Sequence, residues 1–156
     1  MSCDIRELDF GSGYDLVTLI YGELNAFAAE DAARIVNKAY QALETGGTLL
    51  LEVHPAEIIY QIGHQAASWH TAEKGLFSDD AYLCLTESRY EVDRAITYHY
   101  VYAAATGEMQ RYVNMLQGYS NDEYRQMLRD FKHILFYPSL TGDPKPANLF
   151  VIAAEK

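Results

Sequence analysis

The sequence predicts an α/β domain whose elements run βαβα, then three antiparallel strands, then αββ. Three observations predict it. Two apolar runs, residues 16–20 and 48–53, flank an amphipathic stretch, residues 28–44, that ends in glycines. That is the pattern of a right-handed βαβ unit with parallel strands. Residues 82–117 then change to strand composition with period-two alternation. Finally, Ser120-Asn121-Asp122-Glu123 is a capping box that opens another helix. Ligands of open α/β sheets bind just beyond the carboxyl ends of the strands. Here those ends are Tyr21-Gly22-Glu23 and Glu52-Val53-His54.

The chain has 156 residues and is read as a single domain, 1–156, with the meander at 82–117 inserted within it. No stretch approaches the roughly 18 apolar residues of a membrane span. The start, M-S-C-D-I-R-E-L, has no basic region followed by an apolar one, so it is not a signal peptide. Cys3 and Cys84 make neither a disulfide framework nor a metal pair with CxxC spacing. A cytoplasmic location is expected. The formal net charge is −10, and the twelve Lys and Arg are scattered. A nucleic-acid groove needs a basic patch, so neither nucleic acid nor an anionic membrane is an expected partner. The thirteen tyrosines, many in the second half, suggest a pocket or an interface with an apolar body and a wet rim.

Residues 1–13 are polar, end in glycines and read as the end of a strand and a loop. Residues 16–20 are long enough for a strand buried on both faces, and Gly22 ends it. Glu30 and Asp31 place acids in the first helical turn, where the helix dipole favours them. Ala32, Ile35, Val36, Ala39 and Leu43 fall on one helical face. Thr45-Gly46-Gly47 supplies a left-handed cap that stops the helix, and residues 48–53 form the next buried strand. Pro55 suits the first turn of a helix that runs to about residue 66. Residues 68–80 read as loop. Strands follow at 82–92, 95–104 and 109–117, with turns at Asp93-Arg94 and Thr106-Gly107. The helix after Ser120 places Tyr124, Leu128 and Phe131 on one side. Two last strands, 133–137 and 149–154, are joined by a loop with Gly142, Pro144 and Pro146.

This order resembles the carboxyl-terminal part of a class I S-adenosylmethionine-dependent methyltransferase. The matching residues are C-D-I-R-E-L at 3–8, Y-D-L-V at 14–17, A-L-E-T-G-G at 42–47 and L-L-L-E-V-H at 49–54. Y-S-N-D-E-Y-R-Q-M-L-R-D-F at 119–131, followed by a final hairpin, is similar to the family's late helix and last strands. The resemblance covers nearly the whole chain. It implies a partial Rossmann-like sheet, with the βαβα part continuous with the family's fourth and fifth strands. It also implies S-adenosylmethionine as cofactor and a small-molecule methyl acceptor.

The departures are specific. The family's first strand, its Gly-rich loop and the acidic end of its second strand have no counterpart in the sequence. Gly11-Ser12-Gly13 is not that loop, because it follows a charged segment and opens a strand. The chain therefore reads as a methyltransferase lacking its amino-terminal half, one that binds the cofactor weakly or not at all. Removal of the neighbouring strand leaves residues 16–20 as an apolar sheet edge. A homodimer is expected, through that strand or through the meander.

The resemblance carries site roles onto particular residues. It places Asp4 and Ile5 against adenine, and Tyr21, Gly22 and Glu23 beside the methionine end of the cofactor. Asn25 caps the turn or lines the same crevice. His54 is the candidate general base, since an imidazole exchanges protons near neutrality. The alternative is a histidine that caps the next helix. Glu52 lies at the same strand end, on the substrate side. Trp69, with His70 and Phe77, sits in a candidate lid loop. Tyr98 and Tyr100 alternate with His99 on the meander, where they wall an acceptor pocket or simply pack a sheet. No HExxH, no Cys/His cluster and no Ser-centred elbow occurs, so no metal is expected. Two rival readings stand beside the enzyme. One is a dimeric binding module that uses its Tyr-rich sheet; the other is a regulatory, catalytically dead relative.

Overall fold

The computed structural model describes residues 4–140 and 148–156. Cys3, and the loop with Gly142, Pro144 and Pro146, lie outside the described residues. The chain divides into two compact units, residues 1–58 with 117–156, and residues 59–116.

The first unit is built on a four-stranded mixed sheet. Its strands are β1 (Tyr14–Leu19), β2 (Leu43–Val53), β7 (Lys132–Tyr137) and β8 (Phe150–Glu155). The order across the sheet is β1-β2-β8-β7. β1 runs parallel to β2, with Val17 opposite Leu49 and Leu19 opposite Leu51. β8 is antiparallel to both of its neighbours. Helix α1 (Ala29–Ala42) joins the two parallel strands and buries Ala32, Ile35, Val36 and Ala39 against them. Helix α3 (Asn121–Met127) packs beside α1, where the ring of Tyr40 meets the edge of Phe131 at 5.0 Å. One core results, running from Leu24 through Leu49, Leu51 and Val53 to Tyr124, Leu128 and Ile152. Each such side chain, taken fully out of water, contributes about 1.5–3 kcal/mol.

Three details differ from the expectation. The helix does not stop at Thr45-Gly46-Gly47. It ends at Ala42, because Leu43 turns extended (φ −75°, ψ 146°) to bury its side chain in the core. Gly46 (φ 83°) and Gly47 instead form an irregularity within β2, where pairing jumps from Leu43 to Thr48. A Cβ on Gly47 would sit 2.9 Å from the Tyr14 carbonyl oxygen, so this crossing requires glycine. Second, β1 is not buried on both faces. It is the outer strand of the described sheet, and Leu16 is 55% exposed. Third, residues 4–13 hold no strand. They begin with a turn in which the Asp4 carbonyl accepts from the N–H groups of Glu7 and Leu8, both at 3.0 Å.

The second unit is a four-stranded antiparallel sheet in the order β3-β4-β5-β6. The strands are β3 (Ser68–Ala72), β4 (Tyr82–Glu91), β5 (Arg94–Ala103) and β6 (Met109–Gln117), the last ending at the unit boundary. The three-stranded meander is thus as expected, but residues 68–72 are a fourth strand and not loop. Trp69 therefore belongs to a strand, opposite Leu85. Helix α2 (Ala56–Gly63) leads into this unit and stops short of residue 66. Gly63 ends it where a Cβ would collide with Tyr90 at 2.7 Å. The β4–β5 turn consists of Val92 and Asp93, one residue earlier than expected. Both have positive φ (48° and 60°), as a two-residue type I′ hairpin requires.

The register sorts the meander into two faces. Tyr82, Cys84 and Val101 form a small buried cluster on one, with Phe77 packed over it. On that face the Thr86 hydroxyl and the His99 Nδ1 lie 3.1 Å apart. Tyr98 and Tyr100 point to the other face.

Candidate functional site

At the carboxyl ends of β1 and β2 the chain makes two consecutive left-handed residues, Tyr21 (φ 60°) and Gly22 (φ 72°). A non-glycine residue in this region is uncommon and reflects local constraint. The constraint is visible here. The Tyr21 N–H donates to Glu52 Oε2 at 2.8 Å, and the Gly22 N–H donates to the Glu52 carbonyl at 2.9 Å. Glu52 thus clamps the end of β1 from β2 with both its side chain and its backbone. The clamp leaves the Tyr21 ring 74% exposed. A single 3-10 turn, Glu23–Ala26, follows.

Asn25 lies in that turn and is completely buried. Its Oδ1 accepts the His54 backbone N–H at 2.8 Å. Its Nδ2 donates to the Gln117 carbonyl at 2.9 Å and to the Tyr124 hydroxyl at 3.1 Å. Burial pushes the Tyr124 phenol well above its ordinary range, so it stays neutral as a member of this network.

His54 is oriented from both sides. Its Nδ1 lies 2.6 Å from the Asn148 carbonyl oxygen. A carbonyl only accepts, so Nδ1 carries the proton and the neutral ring keeps Nε2 as its bare acceptor. The Nε2 edge lies against Gly22: a Cβ there would be 2.6 Å from Nε2 and 2.5 Å from Cδ2. Glycine is needed twice at this position, for its φ and for the approach of the ring. A cleft of about 510 Å³ is lined by Pro55, Glu57, Tyr119, Phe136, Tyr137 and Phe150, among others; it begins one residue after His54 in the chain, and the His54 ring is not part of its lining. That volume suits a small ligand. A larger cleft, about 590 Å³, lies between α1 and α3 and contains none of the expected site residues.

The structure therefore brings together Tyr21, Gly22, Glu52 and His54, with Glu23 next in the chain. Asp4 and Ile5 lie in the turn ahead of β1, and Ile5 packs on the core. The Asp4 carboxylate is held by Arg6, whose backbone N–H and Nε donate to Oδ1 at 2.9 and 3.0 Å and whose Nη2 donates to Oδ2 at 2.6 Å. These bonds hold Asp4 at about 2. Trp69, Tyr98 and Tyr100 belong to the second unit and share one face of its sheet. The Tyr100 hydroxyl donates to Glu87 Oε1 at 3.0 Å, and this carboxylate partner raises the phenol. Among the described residues, no three His, Cys, Asp or Glu come together as a metal centre would require. No helix among them is long and apolar enough to cross a membrane.

The described residues do not by themselves fit a whole S-adenosylmethionine molecule. The Asp4 carboxylate is already occupied by Arg6, and the Gly22 Cα faces the His54 ring in place of open space. What remains is one wall, Tyr21-Gly22-Glu23. The residues that sequence reasoning missed are Tyr124 and Gln117 behind Asn25, and Asn148 behind His54. A polar Asn25 between apolar residues was a legible signal. The Gln117 and Asn148 contributions are backbone carbonyls and leave none.

No family model and no curated protein matches the sequence. Solved structures do match the fold. An S-adenosylmethionine-dependent methyltransferase from Clostridium acetobutylicum superposes with a TM-score of 0.72 at 13% identity, over 99% of this chain and 63% of that one. A sugar N-methyltransferase from a Streptoalloteichus species gives 0.70 at 16%, over 99% and 60%. An amino pentose methyltransferase from Micromonospora echinaspora, involved in calicheamicin biosynthesis, gives 0.65 at 19%, over 99% and 63%. The fold is that of the class I S-adenosylmethionine-dependent methyltransferases, as the sequence resemblance implied. The chain spans less than two thirds of the length of each of these neighbours.

Proposed function

We propose that this chain carries the acceptor side of an S-adenosylmethionine-dependent methyltransferase that acts on a small molecule. The observation that carries the reading is the fixed His54 ring, with Nδ1–H committed to the Asn148 carbonyl and Nε2 bare at the strand ends. That atom is placed to take a proton from an acceptor nitrogen or oxygen. The cofactor would supply an electrophilic methyl group. This chain supplies position, through the Glu52 clamp and the Asn25 network, and a proton acceptor. The sugar and amino pentose methyltransferases among its structural neighbours support a small polar acceptor. Because the sequence holds no Gly-rich strand–loop–helix, cofactor affinity of the chain by itself is weak.

Amide correlation spectra recorded with S-adenosylhomocysteine test this. Weak, fast-exchange shifts confined to Tyr21, Gly22, Glu23 and His54 are expected. Tight binding by calorimetry would contradict the one-walled site. Shifts confined to the β3–β6 sheet would contradict its location.

A second reading has one specific observation in its favour. Trp69, Leu85 and Tyr102 share one face of the second unit's sheet and are exposed there, which suits a dimeric interaction module.

A further inference from the structure

The cleft of about 590 Å³ between α1 and α3 takes no part in the proposed function. Its volume lies within the range of small-molecule sites. The two helices meet through Tyr40 and Phe131, whose rings touch edge to edge-on face at 5.0 Å. Toward the start of α1 the lining side chains are Ala29 and Ala33, one turn apart and too small to fill the gap. Val36 and Phe131, 2% and 7% exposed, form an apolar floor, with the half-buried Met127 beside them.

Charge is spread unevenly along this cleft. Glu30 in the first turn of α1 and Glu123 in the first turn of α3 both line it. Glu123 commits Oε2 to the capping box. The Glu30 carboxylate has no hydrogen bond or ion pair among the described residues. At the other end, Lys156 Nζ lies 4.9 Å from the centre of the Tyr40 ring, and Arg129 lines the cleft next to Asp130. Ten residues of α1, about 15 Å, separate Glu30 from Tyr40. One end is therefore acidic, and the other is aromatic and already supplied with cations. The helix dipole accounts for an acid in a first turn. It does not account for an apolar groove held open beside that acid.

We propose that this cleft binds a small organic cation with an apolar body, an arylalkylammonium. The ammonium lies between Glu30 and Glu123. The body runs over Ala33, Val36 and Met127 and ends against Tyr40 and Phe131. The reverse orientation would set the ammonium against Lys156 and Arg129, so charge fixes the direction. A chain of net charge −10 draws cations in general; the apolar floor selects those with an apolar body, and the unbranched Met127 adapts to its shape. The inference goes beyond the methyltransferase reading and does not rest on it, because none of Tyr21, Gly22, Glu52 and His54 lines this cleft.

Amide correlation spectra recorded during titration with 4-phenylbutylamine test it, with 4-phenylbutanol and 4-phenylbutyrate as neutral and anionic counterparts of the same body. The amine should give saturable shifts centred on Ala33, Asn37, Gln126 and Met127. The alcohol should bind about tenfold more weakly, since two exposed carboxylates each contribute a few-fold, and the carboxylate should not bind. Glu30→Gln should weaken the amine about threefold and leave the alcohol unchanged. Ala33→Phe, an exposed helical position, should fill the groove and abolish both, with thermal unfolding to show that the variant is folded. Shifts centred elsewhere, or shifts that do not saturate, overturn the proposal. So does an alcohol that binds as tightly as the amine, or an amine affinity that Glu30→Gln leaves unchanged.

Discussion

The Asn25 carboxamide oxygen accepts the backbone N–H of His54 at 2.8 Å. Through the same side chain, the 3-10 turn after β1 is tied to the end of β2, to Gln117 and to Tyr124. A single buried residue thus sets where the catalytic candidate leaves its strand.

Replacement of that residue should therefore be costly. Asn25→Leu removes the carboxamide that accepts the partly buried His54 N–H and donates to the Gln117 carbonyl and the Tyr124 hydroxyl. A buried orphan group costs about 1–3 kcal/mol, so a loss of about 3 kcal/mol is expected in urea unfolding. Tyr124→Phe removes one acceptor while Asn25 still donates to Gln117, and should cost only about 1 kcal/mol.

Gly22→Ala combines two penalties. The residue sits at φ 72°, and its new Cβ would lie 2.5 Å from His54 Cδ2 and 3.3 Å from a Leu149 methyl. Strain of this kind costs about 1–3 kcal/mol. The imidazole must swing away from the Asn148 carbonyl, so the His54 ring resonances should move with the drop in melting temperature. A stable variant with unchanged His54 resonances would show that the ring does not rest on Gly22.

The β4–β5 hairpin offers a change in the opposite direction. Val92 is β-branched, exposed and held at φ 48° at a position that favours Asn or Gly. Val92→Asn should raise stability by about 1 kcal/mol. Thermal unfolding of the pair checks it; equal or lower stability would mean that the turn has a different geometry.

Asp4 gives a pH signature. The Arg6 side-chain and backbone hydrogen bonds hold its carboxyl at about 2, below the ordinary 3.8. A carboxylate depressed in the folded state contributes stability above its unfolded value, and this is lost as pH falls through the folded one. The window is therefore from about 3.8 down to about 2. Carbon-detected titration should place the Asp4 midpoint near the lower end, and Arg6→Ala should return it toward the ordinary value. The pair is exposed, so the effect on stability near neutral pH should be small.

Much of this fold could be read from the chain. The period of residues 28–44, the two apolar runs, the Ser120–Glu123 box and the alternation at 95–104 each reflect a local rule, and each element formed. The Ser120 box is complete, with Ser120 Oγ accepting from the Glu123 N–H at 3.2 Å and Glu123 Oε2 accepting from the Ser120 N–H at 2.8 Å. The errors came where tertiary contacts overrode those rules. Leu43 left its helix to enter the core, and Gly46-Gly47 became a kink inside β2. Residues 68–72 have little strand signal of their own and exist as β3 because β4 offers an edge. That Gly22, Glu52 and His54 lie together at two strand ends could be anticipated, because strand ends are predictable. Their orientation could not, since it depends on backbone carbonyls 94 residues away along the chain.

The most direct test of the site is the protonation pattern of the His54 ring. Long-range proton–nitrogen correlation spectra at a pH where the ring is neutral should show Nδ1 protonated and Nε2 bare. A neutral His54 with the proton on Nε2 would contradict the account, because the atom that faces Gly22 could then no longer accept a proton.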